Sequence, residues 1–339
     1  MALFAGTRLG PNEILEPLGA GGMGEVSRAH DAKLVPYRSG PLLLALVAVV
    51  LLPAVQTRTV HGEPPTPSGD YLWLDVDGQP LPFQDYAAIQ GVMRSARIVS
   101  RESAGRGVSG TQKLLLENAE TRFHGAFRNV DISVRAPSPG GLKKGEIRRD
   151  AAIFECAAYE VSQLLGIGRV PPVVERSIGA QNGTVQIWVE ETRSELELRE
   201  QGRLLPPDLA RWDQQRQIMY AFDSLIANFD RNEGNVLLDR NWSMWFIDHT
   251  RAFKRSSELL NRNRLTSCER GLWNSLREMD EDVLRQRLEP HLERREISNL
   301  STRRLKLIRH IQGLIDKHGE DAVLFDLRPP EAKRADWND

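Results

Sequence analysis

"DSLIANFDRNEGNVLLDRNWSMWFIDHTRAF", residues 223–253, is the stretch on which the reading of this chain turns. It continues an apolar helical pattern, "QIMYAFDSLIANF", into the polar loop Asp230-Arg231-Asn232-Glu233-Gly234-Asn235. The apolar run "VLL" follows, then the turn "DRNW", then a second apolar run, "MWFI", that ends in Asp248. This order predicts helix, loop, strand, turn and strand. Asp230 and Asn235 lie five apart on one loop, and Asp248 closes the adjoining strand thirteen residues after Asn235. Asp, Asn and Gly also build ordinary turns, so either spacing alone describes two hairpin loops. Both spacings together, on that succession of elements, set two oxygen ligands beside a carboxylate base.

Phosphoryl transfer asks for such a set. One aspartate orients the incoming hydroxyl and takes its proton, a role that falls to Asp230. An Asn and a second Asp, here Asn235 and Asp248, hold the divalent ions that bridge the phosphates. His249 reads as positional, since Asp248 fills the metal role. Upstream, "RIVSR" and "QKLLLEN" read as strands joined by "ESAGRGVSGT", which contains Gly105, Gly107 and Gly110 in a G-x-G-x-x-G pattern. A third strand, "RFHGAFRNVDI", carries Arg128. Strand, glycine turn, strand and strand-borne cation form the layout of a phosphate clamp. A lysine is usual at such a place, and Arg keeps the charge in a larger, forked group. Lys143 and Lys144, in "PSPGGLKKGE", substitute only if that loop folds back over the site.

The next segment, "RRDAAIFECAAYEVSQLLGIGRVPPVV", has Ile153, Ala157, Val161, Leu164 and Leu165 at helical spacing. Gly166 is placed to end the helix, and Pro171 and Pro172 stop it from resuming. At about 100° per residue, Glu160 falls in the apolar face and Glu155 on the opposite one. Periodicity therefore predicts an ion pair between Glu160 and Arg128, with Glu155 solvated. "TVQIWVEE" reads as a strand leading into a hinge.

At these residues the chain resembles the atypical kinases. "DRNEGN" followed by "IDH" is similar to paired motifs of the phosphatidylinositol 3-/4-kinases and of HipA-like bacterial kinases, and "FECAAYEVSQLLGIGRVPPVVER" is similar to a helix of the secreted Golgi casein-kinase family and its exported bacterial relatives. The resemblance covers about residues 95–325. It implies an α+β, two-lobed protein-kinase-like fold: a small β-rich N-lobe with one helix, about residues 95–190, and a larger, mainly helical C-lobe, about residues 191–330. It also implies ATP and Mg²⁺ or Mn²⁺ as cofactors, Asp230 as base, and Asn235 and Asp248 as metal ligands. Here it disagrees with the wheel, because it makes Glu155 the helix acid near nucleotide or metal. Arg128 departs from the family's lysine, which leaves two alternatives to an active kinase. One is a weak pseudokinase that binds nucleotide or a partner in the envelope; the other is an adenylyl transferase on the same fold.

The remaining chain bounds the context. "LGAGGMGEV", residues 18–26, is a second glycine-rich turn. Residues 1–34 resemble the opening of a bacterial serine/threonine protein kinase, but no strand-borne lysine, catalytic loop or second metal aspartate follows in register. They are expected to be a fusion remnant or the product of an upstream start. Leu42–Val55 is almost wholly Leu, Val and Ala, short for a bilayer span and suited to an export signal, so residues 35–57 are expected to export or anchor the chain. That implies a bacterial envelope or periplasmic location, or a cytoplasmic one if the run is no signal. Residues 58–83 read as a Pro-rich linker and residues 84–339 as the kinase-like domain.

A formal net charge of −1 gives no electrostatic argument for nucleic acid or an anionic membrane, and no nucleic-acid partner is expected. Cys156 and Cys268 make no disulfide framework and no metal set. The acceptor is open among protein, lipid head group, sugar and small metabolite.

Overall fold

The computed structural model describes residues 71–104, 110–135, 147–330 and 335, with the strand backbones at 8–9, 12–21 and 24–31. The chain divides into two units, Met1–Gly62 and Glu63–Asp339. In the first, β1 (Arg8–Leu9), β2 (Asn12–Gly21) and β3 (Gly24–Asp31) form an antiparallel sheet. The early glycine-rich stretch thus contributes to the β2–β3 hairpin. The apolar run at residues 42–55 lies outside the described residues. Among the described residues no helix is long and apolar enough to cross a membrane.

The packed part of the second unit starts before the expected boundary at residue 84. Residues 71–83, expected as linker, belong to the packed domain: Tyr71, Trp73 and Leu81 are buried. Tyr71 and Trp73 stack edge-on against Trp245, with ring centroids 5.0 and 5.3 Å away. Proline content marked the segment as linker, but burial of such large aromatic surfaces decides where it lies. The first helix, α1 (Tyr86–Ser95), is capped by the Asp85 carboxylate, which accepts from the Ala88 N–H at 2.8 Å. Tyr86, Ile89 and Met93 recur on its buried face.

A five-stranded antiparallel sheet follows, in the order β4-β5-β6-β10-β9. Its strands are β4 (Arg97–Ser103), β5 (Gln112–Glu117), β6 (Arg122–Arg128), β9 (Val173–Ile178) and β10 (Gln181–Ile187). β6 is the central strand, and Phe123, Ala126, Phe127 and Arg128 on it are all buried. A smaller hairpin, β7 (Asp131–Arg135) with β8 (Ile147–Ala151), leads into α2 (Ile153–Leu164). Gly166, at φ +67°, ends that helix in the left-handed conformation glycine adopts freely. Both α1 and α2 pack against β9 and β10, and α2 is the one helix within the expected β-rich region of about residues 95–190.

The rest of the unit is mainly helical. β11 (Arg193–Ser194) precedes α3 (Glu195–Glu200) and the long α4 (Leu209–Ile226). β12 (Val236–Leu238) and β13 (Met244–Phe246) form the expected hairpin, in register Val236 to Phe246, and β11 pairs with β12. β14 (Cys268–Glu269), α5 (Arg270–Glu278), α6 (Glu281–Leu288), α7 (Arg294–His318), α8 (Glu320–Val323) and β15 (Leu324–Phe325) complete it. The second half of α4 is buried nearly all round, from Ile218 to Ile226, with α7 packed alongside. This buried helix fixes the loop that follows it.

Candidate active site

The α4 helix ends at Ala227, whose left-handed backbone (φ +52°) turns the chain out toward Asp230. What holds the turn is Arg231. Its guanidinium grips the buried Asp223 carboxylate twice, Nε to Oδ2 and Nη2 to Oδ1, each at 3.0 Å. Its Nη1 donates to the carbonyls of Asn235 at 2.6 Å and Ile247 at 2.8 Å. A planar fork with five donors can tie a helix, a loop and a strand together in this way. Asn228 adds a bond from Nδ2 to Asp223 Oδ1 at 3.1 Å.

The loop and the hairpin meet as the spacing predicted. The Ile247 N–H donates to the Asn235 carbonyl at 3.2 Å, so Asn235 sits beside the residue preceding Asp248. Asn235 Nδ2 reaches the Asp230 carbonyl at 3.4 Å. Asp248 itself has φ +58°, a backbone state that costs a non-glycine residue about 1 kcal/mol or more and persists only where neighbours hold it. Among the described residues its carboxylate has one hydrogen bond, accepted from Thr250 Oγ1 at 3.3 Å. The turn before it is pinned by buried Asp239, which accepts from the N–H groups of Asn241 and Ser243 and from Trp245 Nε1 at 2.8, 2.9 and 3.0 Å.

The cation and the helix acid also come together, but with the other glutamate. Arg128 Nε lies 3.5 Å from Glu155 Oε1, at 5% and 0% exposure. Glu160 does not meet Arg128; it pairs with Arg287 of α6 near the surface. The wheel failed because α2 is covered on several sides: residues 154–159 are buried without a break, so no single apolar face exists. Glu155 accepts from the His249 backbone N–H at 3.0 Å and faces His249 Nδ1 at 3.0 Å. On the other edge of the ring, Arg231 Nη2 lies 3.0 Å from His249 Nε2. Arginine can only donate, so Nε2 accepts and the ring proton belongs on Nδ1, facing Glu155. Arg128, Glu155, His249, Arg231 and Asp223 thus form one buried polar chain from the sheet to α4. Burial pushes the Glu155 carboxyl up, but the Arg128 charge and then the His249 contacts outweigh it, and its pKa falls to about 2.

Asp230 is half exposed and accepts from Arg251 Nη1 at 3.0 Å, while Arg251 Nε donates to Asp150 Oδ2 at 2.8 Å. The Asp150 hydrogen bond, against burial and with help from Asp230, holds the Arg251 pKa above its ordinary value. Arg231, Asp223, Arg251 and Asp150 were missed in the sequence. Arg231 and Arg251 adjoin the predicted loop and strand end, the one signal that marked them. Of the glycine turn, Gly110 is described, at φ +63°, and the Ala104 N–H bonds to the Thr111 carbonyl at its base. Gly105 and Gly107 lie outside the described residues, as do Lys143 and Lys144.

No protein-family model matches this sequence, and no curated protein sequence matches it. Solved structures do match in fold. The structure of hydra Fam20 with sugar aligns at a TM-score of 0.54 and 15% identity, over 71% of this chain and 92% of that one. The Golgi casein kinase aligns at 0.53 and 13% identity, over 70% and 78% of the two chains. The same kinase with Mn/ADP bound aligns at 0.50, again at 13% identity and over the same shares. At such identities the likeness speaks to the fold. The chain has the atypical kinase-like fold shared with these structures, with a β-sheet N-terminal region and a helical C-terminal one.

Proposed function

We propose that this protein is an ATP- and divalent-metal-dependent phosphotransferase. The observation that carries the reading is the buried chain from Arg128 through Glu155, His249 and Arg231 to Asp223, because it ties the sheet cation and the helix acid to the loop of Asp230, Asn235 and Asp248. The residues present fit both cofactors. Arg128 is nearly buried, yet its Nε and Nη1 have no hydrogen-bond partner among the described residues. Such orphaned donors cost free energy unless an anion such as a phosphate meets them. Asp248 and Asn235 offer hard oxygen donors, the type that Mg²⁺ or Mn²⁺ takes.

In this reading Asp248 and Asn235 hold the metal, and Arg128 takes a phosphate oxygen while Glu155 fixes its position. The bound ion supplies charge neutralisation across the phosphates. Asp230 accepts the proton of the acceptor hydroxyl on its carboxylate, with Oδ1 available while Arg251 holds Oδ2. Arg128 does the work that a lysine does in related sites, and the pair with Glu155 supports that assignment. Export through residues 35–57 belongs to the same proposal, supported by the apolar run at 42–55.

The test is equilibrium binding of ADP to the full chain with and without Mn²⁺. Metal-dependent binding in the wild type, lost in Asp248→Ala, is expected. Wild-type affinity in that variant would remove the metal-ligand assignment.

A further inference from the structure

Away from the cleft, on the sheet side of α2, three groups from separate elements converge. Cys156 lies on α2, Glu175 on β9, and His291 in the corner between α6 and α7. One ligand atom from each, the thiol sulfur, a carboxylate oxygen and a ring nitrogen, lies within 4.8 Å of the other two. We propose that this cluster is a zinc site that clips the β-rich region to the helical one.

The chemistry of the set selects the ion. A thiolate and an imidazole favour zinc over the oxygen-seeking Mg²⁺ and Mn²⁺ of the cleft. Three protein ligands with one open position is a common zinc arrangement. With bonds of about 2.0–2.3 Å, tetrahedral ligands sit roughly 3.5 Å apart, so the His291–Glu175 pair is already close enough and the thiol side of the cluster needs a closure of about 1 Å at most. Glu175 can supply it, being 56% exposed and free to swing, whereas Cys156 is 5% exposed and fixed in the helix.

A second observation concerns His291. Its Nδ1 is buried and lies 3.1 Å from Glu175 Oε1, yet makes no hydrogen bond among the described residues. A buried ring nitrogen at ion-pair distance from an acid but out of line for a hydrogen bond, with a thiol within 4.8 Å, is placed for an ion between them. An open groove of about 690 Å³, lined in part by Glu175 and His291, gives solvent access and room for a water as fourth ligand. Binding exchanges the thiol proton for the metal: the S–H bond breaks, the S–Zn bond forms, and the proton leaves to solvent. Cys156 adjoins Glu155, so the clip would hold the helix that carries the Arg128 partner.

The experiment uses Co²⁺ as an absorbing substitute for zinc, titrated into the full chain. A thiolate-to-cobalt charge-transfer band is expected in the wild type and in Cys268→Ser, and should be absent from Cys156→Ser. Cobalt held by the oxygen ligands of the cleft gives no such band, so failure of the proposed function leaves this result untouched. Glu175→Gln and His291→Gln, which alter partly exposed groups, should weaken binding roughly tenfold or more while leaving the circular dichroism unchanged. Zinc should raise the Tm of the wild type and not that of these variants. No band at saturating Co²⁺, or a band that survives in Cys156→Ser, would overturn the proposal.

Discussion

Replacing Glu155 with Gln removes one buried charge with almost no change in shape. The carboxylate stands between the Arg128 guanidinium, 3.5 Å away, and His249, which meets it at 3.0 Å through both its backbone N–H and Nδ1. In Glu155→Gln the amide oxygen can keep one of those contacts, but the NH₂ then points a donor at the His249 Nδ1 proton. The ring cannot switch tautomer to relieve this, because Arg231 donates to Nε2. Arg128 is left as an uncompensated buried cation, a loss of about 3–5 kcal/mol. The depressed pKa expresses the same contacts as a proton-linked effect. A fall from 4.5 to about 2 corresponds to about 3 kcal/mol of stability at neutral pH. Since the folded-state value lies below the unfolded one, this contribution is complete above about pH 4.5 and is lost as pH falls toward about 2. Urea unfolding of the wild type and Glu155→Gln at pH 7 and at stepwise lower pH reads both effects. The gap should be about 3 kcal/mol at pH 7 and should narrow on acidification. A gap below about 1 kcal/mol at pH 7, or one that stays constant with pH, would refute the buried-chain argument.

Other perturbations separate fold from site. Gly183→Ala would drive a Cβ into the Arg128 carbonyl oxygen and within 2.9 Å of the Phe127 ring, so it should cost about 2 kcal/mol or more by thermal denaturation. Asp239→Ala removes the shared acceptor of three donors of the β12–β13 turn, the buried Ser243 N–H and Trp245 Nε1 among them, and should destabilise by about 2–4 kcal/mol in the same assay. Arg128→Ala should weaken ATP binding about tenfold or more, read by equilibrium binding with Mn²⁺; unchanged affinity would mean that the cation serves packing alone. Glu160→Gln, which breaks only the near-surface pair with Arg287, should leave nucleotide binding unchanged and shift stability by less than about 1 kcal/mol.

The helix–loop–hairpin around Asp230, Asn235 and Asp248 was legible in the sequence because each boundary carries a local signal: an apolar period, a polar loop, a two-strand run with a turn between. The succession of three strands leading to Arg128 was legible for the same reason, whereas the pairing of β6 with β10 was not. The identity of the helix acid was not, since periodicity assumes one covered face and α2 is covered on several. The start of the domain was misread from proline content, because local composition does not report that Trp73 and Tyr71 pack on Trp245. His249 could be read as positional, but its partner Glu155 is 94 residues away, and the Asp223–Arg231 pair, though local, rests on side-chain geometry that no spacing records. Cys156 likewise gains partners only when β9 and the α6–α7 corner are folded against α2.

The central claim is that Asp230, Asn235 and Asp248 perform phosphoryl transfer. Single-turnover incubation of the full chain with ATP and Mn²⁺, beside Asp230→Asn, tests it most directly. The account predicts ADP formation by the wild type and its loss in the variant. Nucleotide bound without turnover, AMP as product, or undiminished ADP formation in Asp230→Asn would contradict it.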